Sequence, residues 1–432
     1  MTGAVPGGGA DPLARFLLTV AVVVLACHLC GELLRRLRQP PVLGEILGGL
    51  MLGPSLLGWV WPSATRWLFQ PDVLVQIDRA AQLGLVIFMF LLGCELRTEN
   101  LRGPRLLGLV VAGSIGLPML AGMGLAVAGA GSLAGSTSNR TGYVLFVGLA
   151  LAMTALPVLA RILVDLRMES TPTGAISLAA AAVGDGVAWT VLAVVLATTD
   201  TAGIGSVATT AGLAAAFVLF VALCVRPVLA AFDRHLCSRR DGRNDQMLLA
   251  ILVVGAIGAA AITQLIGLHP VIGAFVFGIA VPRRSAAVRQ VAHTMQGFAV
   301  AILLPLFFGG VGLRTSVALL DTVPSHWLIF AGMLLAAIST KIVGAGGGAR
   351  LAGLPGPQAL QVGILMNCRG VTELVVATIG LQYGLISPLG YTILVLVAVI
   401  TTAATGSLVR LVGVRSQPSE GPVGSAVRLG CR

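Results

Sequence analysis

Stretches of about 20 apolar residues recur along this chain of 432 residues, and each is long enough to cross a bilayer. Within lipid a backbone must satisfy its own hydrogen bonds, which only helices and closed barrels can do. The composition also indicates a membrane protein, because hydrophobic residues make up 56% of the chain and charged residues only 10%. Soluble domains carry roughly 25% charged residues. Because the stretches have the length of spanning helices, we expect an all-α membrane protein.

We predict about thirteen transmembrane helices from these stretches. Their approximate bounds are 13–34, 41–59, 80–96, 106–128, 142–166, 173–198, 204–225, 246–265, 270–282, 294–313, 325–343, 358–384 and 388–412. The transmembrane domain is therefore expected to cover 13–415. The polar segment 1–12 and the tail 416–432 are predicted to be disordered, with no cleavable signal peptide and no soluble regulatory domain.

The arginines predict the orientation of the chain in the membrane. Twenty of them fall on one side of the predicted spans and five on the other, while Arg161 and Arg369 lie within spans. Positively charged loops concentrate on the cytoplasmic side. We therefore expect the N-terminus outside and the C-terminus in the cytoplasm. These loops account for the net charge of +11, so no nucleic-acid partner is expected.

Three short motifs of the first half recur in the second half in the same order, always in spans seven apart. The pairs of motifs are 41–44 with 270–273, 96–98 with 313–315, and 153–154 with 366–367. Because seven is odd, the two copies have opposite orientations in the membrane. We therefore predict two inverted-topology repeats, about 13–198 and 246–412, joined by a linker helix at about 204–225. Such repeats are typical of secondary transporters, whose site lies near the midplane where the repeats meet.

The fifth and twelfth spans, which are related by this repeat, are predicted to be discontinuous. In span 5, Pro157 follows Thr154 in the sequence MTALP and interrupts the helix. In span 12, Asn367 and Arg369 place polar groups at mid-membrane in the sequence NCRG. A simple proline kink would explain span 5 alone, but the matching disruption in span 12 favours a break in each. Non-helical backbone at that depth has to be buried in protein or line a cavity.

A single lysine, Lys341, lies in the apolar segment WLIFAGMLLAAISTKIV, whereas all other basic residues of the chain are arginines. A buried ammonium can release its proton, which a guanidinium effectively cannot. Asp185 lies in the middle of span 6 between Gly184 and Gly186, which let a backbone or a hydrated ion approach closely. Ionisable residues within a membrane indicate a functional site. We therefore predict that the lysine and the aspartate face each other in a proton-coupled ion transporter.

Asp185 is the predicted binding site for both a cation and a proton. Burial disfavours a charged carboxylate and a nearby ammonium favours it, so such an acid can hold either one. Thr154, together with carbonyls released by the break before Pro157, would add oxygen ligands for an alkali ion. A structural carboxylate that caps a neighbouring helix is the alternative. No cofactor is expected, because the seven cysteines and five histidines form no ligand cluster in the sequence.

Arg369 and Glu373 lie four residues apart in span 12 and can pair on one helix face. We favour a structural role for this pair, in which it neutralises the ends of the broken helices. Asn367, Gly184 and Pro157 complete the predicted supporting residues. An intramembrane enzyme is not expected, because the sequence has no HExxH or GxSxG motif and no paired catalytic aspartates.

Five segments of the chain resemble the monovalent cation:proton antiporters, and most closely the cation/proton exchangers of plants, fungi and bacteria. They are PVLGEILGGLMLGPSLLG at 41–58, FMFLLGCEL at 88–96, MTALPVLARIL at 153–163, HPVIGAFVFGIAVP at 269–282 and NCRGVTEL at 367–374. The resemblance implies exchange of Na+ or K+ for H+ by alternating access, in a homodimer whose protomers have a scaffold domain and a mobile core. It also implies that Asp185 carries the ion or the proton and that Lys341 pairs with it.

One position departs from the family pattern, which usually has asparagine or aspartate before the transport aspartate, where this chain has Gly184. A single carboxylate then cycles there, which predicts electroneutral one-for-one exchange as long as Lys341 keeps its proton. Two other functions stay open at this point: a cation channel on the same scaffold, and a proton-coupled exporter of a small organic product.

Overall fold

The computed structural model describes residues 12–37, 39–95, 103–128, 130–136, 140–168, 171–197, 203–237, 242–282, 286–321 and 323–412. The helices are α1 (Pro12–Arg36), α2 (Pro41–Leu52), α3 (Leu57–Val60), α4 (Pro62–Leu68), α5 (Pro71–Glu95), α6 (Pro104–Val127), α7 (Arg140–Ala152), α8 (Leu156–Asp165), α9 (Pro172–Ala197), α10 (Gly203–Phe220), α11 (Arg226–Cys237), α12 (Gly242–Leu265), α13 (Pro270–Ala280), α14 (Ala286–Phe298), α15 (Leu304–Leu313), α16 (Pro324–Leu351), α17 (Gly356–Met366), α18 (Val371–Gln382) and α19 (Pro388–Val412). Within these ranges the extended pairing is a single β-bridge between Ala134 and Ile386. The expected all-α class is therefore confirmed.

Ten helical stretches of the described residues are long and apolar enough to cross a membrane. The predicted spans 5, 9 and 12 are formed instead by the shorter helices α7, α8, α13, α17 and α18. The chain is thus a multi-span membrane protein, while the number of thirteen crossings stays a prediction. Of the segments 1–12 and 416–432, predicted to be disordered, residues 1–11 and 416–432 lie outside the described residues, while Pro12 begins α1.

Helices α5 and α16 extend well beyond the spans predicted from the sequence. The predicted third span starts at 80, yet α5 begins at Pro71. Asp78 forms an ion pair with Arg314, which directly follows α15, so the helix can carry this carboxylate between other helices. Helix α16 continues to Leu351, past the predicted end at 343, because its glycine-rich end packs along α6.

The helices pack into two groups, which we call the scaffold bundle and the core bundle. The scaffold bundle contains α1–α5 and α10–α15, in which α2 packs against α1 and α15, and α5 against α13 and α15. The core bundle contains α6–α9 and α16–α19, in which α6 packs against α7 and α16, and α17 against α9 and α16. Contacts between the bundles are sparse among the described residues; they include α9 with α10 and α19 with the helical turn Val317–Leu319. Each half of the chain therefore contributes helices to both bundles.

Glycine permits the close packing inside each bundle. A Cβ atom on Gly49 of α2 would lie 2.1 Å from the carbonyl oxygen of Gly309 in α15. In the core bundle, a Cβ atom on Gly113 of α6 would lie 2.0 Å from the carbonyl oxygen of Gly344 in α16. Only glycine lets helices touch backbone to backbone in this way. Among the described glycines every contact of this kind joins residues of one bundle, so the bundles meet each other through side chains.

Candidate functional site

Spans 5 and 12 are each broken in two, as the sequence predicts, and the two breaks lie against each other. The Thr154 hydroxyl, between α7 and α8, donates to the carbonyl oxygen of Met366 at 3.0 Å. The amide of Ala155 donates to the carbonyl oxygen of Cys368, between α17 and α18, also at 3.0 Å. These bonds join the breaks and satisfy backbone groups that no helix pairs, as burial in a membrane requires.

The local sequence explains where each second half-helix begins. Pro157 is the second residue of α8, a position at which the missing N–H of proline removes no helical bond. It therefore starts a new helix, and the alternative of a proline kink in a continuous helix is wrong. Gly370 directly precedes α18, and a Cβ atom there would lie 2.6 Å from Cγ2 of Val158 in α8. A side chain at this position would push the two breaks apart.

Two buried cations bond the C-terminal end of α7. Arg369 donates to the carbonyl oxygen of Ala150 at 2.9 Å and to that of Leu151 at 2.5 Å. Lys341 donates to the carbonyl oxygen of Ala152 at 2.5 Å. The last carbonyls of a helix lack partners within it and carry a partial negative charge. The two cations therefore supply both the hydrogen bonds and the charge that this buried helix end requires.

Lys341 is fully buried and also donates to the Thr154 hydroxyl at 2.7 Å. It is close enough to Asp185 for an electrostatic interaction between the two charges. Although both residues belong to the described part of the chain, no hydrogen bond or ion pair joins their side chains. The direct pair implied by the family resemblance is therefore absent from this structure, because the ammonium is bonded to the end of α7.

Asp185 lies on α9 and is 1% exposed. Neither of its carboxylate oxygens has a hydrogen-bond partner among the described residues. The backbone amide of Leu156, the first residue of α8, faces the carboxylate without reaching hydrogen-bond geometry. The amide end of a helix carries a partial positive charge, which favours a nearby anion. Because no described side chain is bonded to it, this carboxylate is available to a proton or to a cation.

The predicted pair of Arg369 and Glu373 is present, with 2.8 Å between Nη1 and Oε1. Glu373 lies in the first turn of α18, and Arg369 lies just before that helix. The two side chains are 1% and 0% exposed, respectively. The charges at the breaks therefore follow the helix dipoles, with cations at the end of α7 and a carboxylate at the start of α18.

Two further predicted supporting residues, Asn367 and Gly184, have different surroundings in the structure. Asn367 is fully buried directly after α17, and its side-chain amide has no partner among the described residues. A Cβ atom on Gly184 would meet only the end of the Ile115 side chain, at 3.9 Å. Packing therefore does not require glycine at position 184, and the family's usual side chain could begin there without a clash.

Thr402 supports the site and was missed by the sequence reasoning. Its hydroxyl, on α19, accepts a hydrogen bond from the backbone amide of Arg369 at 3.0 Å and donates one to the carbonyl oxygen of the same residue. One side chain thus replaces the helical bonds that Arg369 loses at the break. The signal in the sequence is the adjacent pair Thr401-Thr402 in the middle of the last span, where both side chains are buried.

The chain is similar over most of its length to a known protein family and to several antiporters. The family model described as "Sodium/hydrogen exchanger, transmembrane" matches residues 20–414. The Na+/H+ antiporter NhaS4 of Synechocystis is 35% identical and aligns over 92% of this chain and 97% of its own length. Cation/H+ antiporter 17 of Arabidopsis thaliana is also 35% identical, over 93% of this chain and 49% of its own length. The chain thus spans about half the length of that plant relative.

A solved structure has the same fold. The sodium proton antiporter MjNhaP1 of Methanocaldococcus jannaschii superposes with a TM-score of 0.61 over 92% of this chain and 96% of that one, at 15% sequence identity. Because the family model covers almost all of the chain and the long NhaS4 alignment agrees with it, the chain belongs to the transmembrane sodium/hydrogen exchanger family.

Proposed function

We propose that the protein exchanges Na+ or K+ for H+ across a membrane, and that Asp185 binds the proton and the cation in turn. The observation that carries this proposal is the isolation of that carboxylate, which is buried and has no bonded partner among the described residues. A bare ionised carboxylate in such surroundings is costly, whereas its protonated or cation-bound form is neutral. Asp185 is therefore expected to hold one or the other whenever it is sealed from water.

Coupling follows from competition at this one carboxylate. A site that changes sides only when it is neutral can cross with a proton or with a cation, but not empty and charged. Each crossing with a proton is then balanced by a return with a cation. Thr154 is the proposed second ligand of the cation, because its hydroxyl oxygen accepts only the Lys341 bond and retains a lone pair.

The remaining residues of the site are proposed to hold the two breaks in place. Lys341 and Arg369 fix the end of α7, and Glu373 fixes Arg369. The charge of Lys341 also favours the ionised form of Asp185 at the moment when the bound ion leaves. Pro157, Asn367 and Gly184 shape the surrounding backbone.

Alternating access is proposed to occur by movement of the core bundle against the scaffold bundle. The supporting observation is the difference in packing, because close glycine contacts hold each bundle together and are absent between the bundles among the described residues. Side chains can slide past each other, whereas interlocked backbones cannot. The movement would carry Asp185 and both breaks as one unit, since all of them belong to the core bundle.

The proposal includes a cellular setting. We expect a bacterial inner membrane, and the distribution of arginines supports an orientation with the N-terminus outside and the C-terminus in the cytoplasm. The partners are Na+ or K+, H+ and membrane lipid, and we expect a homodimer as the family resemblance implies. Size-exclusion chromatography with light scattering in detergent tests the last expectation.

Purified protein in liposomes loaded with a pH-sensitive dye at acidic pH tests the exchange itself. Adding Na+, K+ or Li+ outside should raise the internal pH for at least one of these cations. Asp185→Asn should abolish the response, while Asp72→Asn, at the exposed start of α5, serves as a matched control that retains it. No response of the wild-type protein to any of the three cations would remove the proposal.

The same liposomes separate the two other functions. A cation channel would dissipate a cation gradient, measured with a tracer, without requiring a proton gradient or producing stoichiometric proton release. An exporter of an organic product would release protons only when that solute is supplied. Cation-dependent proton release without an organic solute excludes the exporter, and a fixed ratio of cation uptake to proton release excludes the channel.

A further inference from the structure

A small cavity lined by both polar and apolar residues lies between the two bundles, away from Asp185. It has a volume of about 30 Å³, and its polar wall is formed by Asp78, Gln82 and Arg314 of the scaffold side and by Thr378, Gln382 and Tyr391 of the core bundle. This volume suits about one water-sized species. Six polar side chains from both bundles thus converge at one point of the interface.

The charged groups of this cavity are Asp78 on α5 and Arg314 after α15, which are bonded to each other. Their side chains are 30% and 32% exposed, so the pair is partly accessible from outside the protein. Both residues belong to the scaffold bundle, so the pair does not fasten one bundle to the other. A role in holding the bundles together therefore does not explain why it faces the core bundle.

The core bundle closes the cavity with the start of α19. The Tyr391 side chain is fully buried, and its hydroxyl donates to the carbonyl oxygen of Val311 in α15 at 3.3 Å. The neighbouring Thr392 hydroxyl accepts from the backbone amide of Ser316 at 3.3 Å. Both bonds cross between the bundles beside the cavity, so a movement of the core bundle that breaks them would open it.

The cavity lies on a direct line outward from the breaks. Helix α18 begins at the break that holds Glu373, and Thr378 lies about 7.5 Å further along this helix, at 1.5 Å per residue. Gln382 lies at the far end of the same helix. An ion that follows α18 between the bundles, from the breaks toward the side of Arg314, therefore passes the cavity.

We propose that this cavity is a transit site for the exchanged monovalent cation, between Asp185 and the membrane side on which Arg314 lies. The inference rests on the proposed exchange. The Asp78 carboxylate, the side-chain carbonyls of Gln82 and Gln382 and the hydroxyls of Thr378 and Tyr391 offer the oxygen atoms that replace a cation's hydration shell. Arg314 neutralises Asp78 when the site holds no cation, so a cation that arrives competes with this guanidinium.

Variants of the two charged partners should change the apparent cation affinity in opposite directions. Arg314→Gln leaves the carboxylate without its competitor, so the KM for Na+ or K+ should fall by about fivefold. Asp78→Asn leaves an unpaired guanidinium in the path, so the KM should rise by about the same factor. Both effects should be confined to cation added on the Arg314 side, and kcat should change less than KM.

Right-side-out and inverted membrane vesicles provide this measurement, with Na+ and K+ titrated on each face and a pH-sensitive dye as the readout. Arg314→Lys, which keeps the charge, is the control and should have the KM of the wild type. If the Asp78→Asn variant fails to fold, the KM of Arg314→Gln still tests the proposal: a fall supports it, and no fall contradicts it. A change of KM in the same direction in both variants, or an equal change on both faces, would assign the pair a structural role and overturn the proposal. Absence of exchange in the wild type is a separate outcome, which would remove the proposed function itself.

Discussion

Asp185 and Glu373 are two carboxylates buried to the same degree in the same bundle, and they differ in what is bonded to them. Each is 1% exposed. Glu373 is bonded through Oε1 to Arg369 at 2.8 Å, whereas neither oxygen of Asp185 has a partner among the described residues. A bonded guanidinium fixes a buried carboxylate in place, and removal of either partner leaves an uncompensated charge. Burial alone therefore does not identify a transport residue, and the bonded partner is what separates the two proposed roles.

The surroundings of the two carboxylates extend this difference. Arg369 is held at the break by Thr402 and by the end of α7, so Glu373 belongs to a bonded network. Lys341, the cation that interacts with Asp185, is bonded elsewhere. One carboxylate is thus part of the framework of the breaks, and the other faces this framework without being tied to it.

The largest expected difference between the two carboxylates is in transport. Asp185→Asn removes the group that holds the proton, so cation-dependent proton release in liposomes should fall to the level of protein-free liposomes while folding is retained. Glu373→Gln should keep a measurable response per folded protein, because this carboxylate is not the carrier. Full cation-dependent proton release by purified Asp185→Asn, or an equal loss of release in both variants, would contradict the predicted difference between Asp185 and Glu373.

A second prediction concerns stability, for which the pair of Arg369 and Glu373 should matter more than Asp185. Arg369→Gln leaves Glu373 buried without its partner and two carbonyls of α7 without their donor, so it should cost about 3 kcal/mol or more of unfolding free energy. Glu373→Gln should cost less, because it leaves the bonds of Arg369 to α7 intact. Thermal unfolding in detergent measures both. A melting temperature of Arg369→Gln equal to that of Asp185→Asn would contradict the structural role of the pair.

Lys341→Arg tests whether the cation next to Asp185 releases its proton or breaks its bonds during transport. If it does, the variant should show a lower turnover and a shifted pH optimum, because a guanidinium stays charged. The melting temperature should fall only modestly, since the variant keeps a cation at the end of α7. Turnover and pH profile unchanged from the wild type would mark Lys341 as a purely structural cation.

The smallest expected effect concerns the membrane potential. With Gly184 before Asp185, one carboxylate carries one proton or one cation, so Na+/H+ exchange should be insensitive to a clamped potential as long as Lys341 keeps its proton. A rate that rises with potential, or a current that scales with turnover, would refute electroneutrality and assign a second proton to Lys341. Gly184→Asp should then make an electroneutral parent either inactive, through repulsion between like charges, or newly sensitive to voltage.

The sequence predicts the parts of this site that depend on local chemistry. Pro157 in span 5, and polar residues with glycine around Arg369 in span 12, disfavour a continuous apolar helix. Because these disruptions occur in two spans related by the repeat, both breaks could be predicted. The i,i+4 spacing of Arg369 and Glu373 likewise predicts their pair.

What the sequence could not predict depends on contacts between distant segments. The predicted third span begins after Asp78, whose partner Arg314 lies 236 residues away in the chain. Lys341 was expected to pair with Asp185, but its bonds go to the end of α7, whose position only the folded core bundle defines. The family resemblance implies a scaffold and a core, but the sequence repeat does not show which helices form each bundle, because each repeat contributes to both.

Proton release on cation binding is the most direct test of the claim that Asp185 is a single site shared by a proton and a cation. Purified protein in a weakly buffered detergent solution, at a pH where the carboxylate is protonated, is titrated with Na+ and with K+ while the released protons are counted. We expect up to one proton per chain for the cation that binds, and none from Asp185→Asn. Cation binding without proton release, or equal release by Asp185→Asn, would contradict this claim.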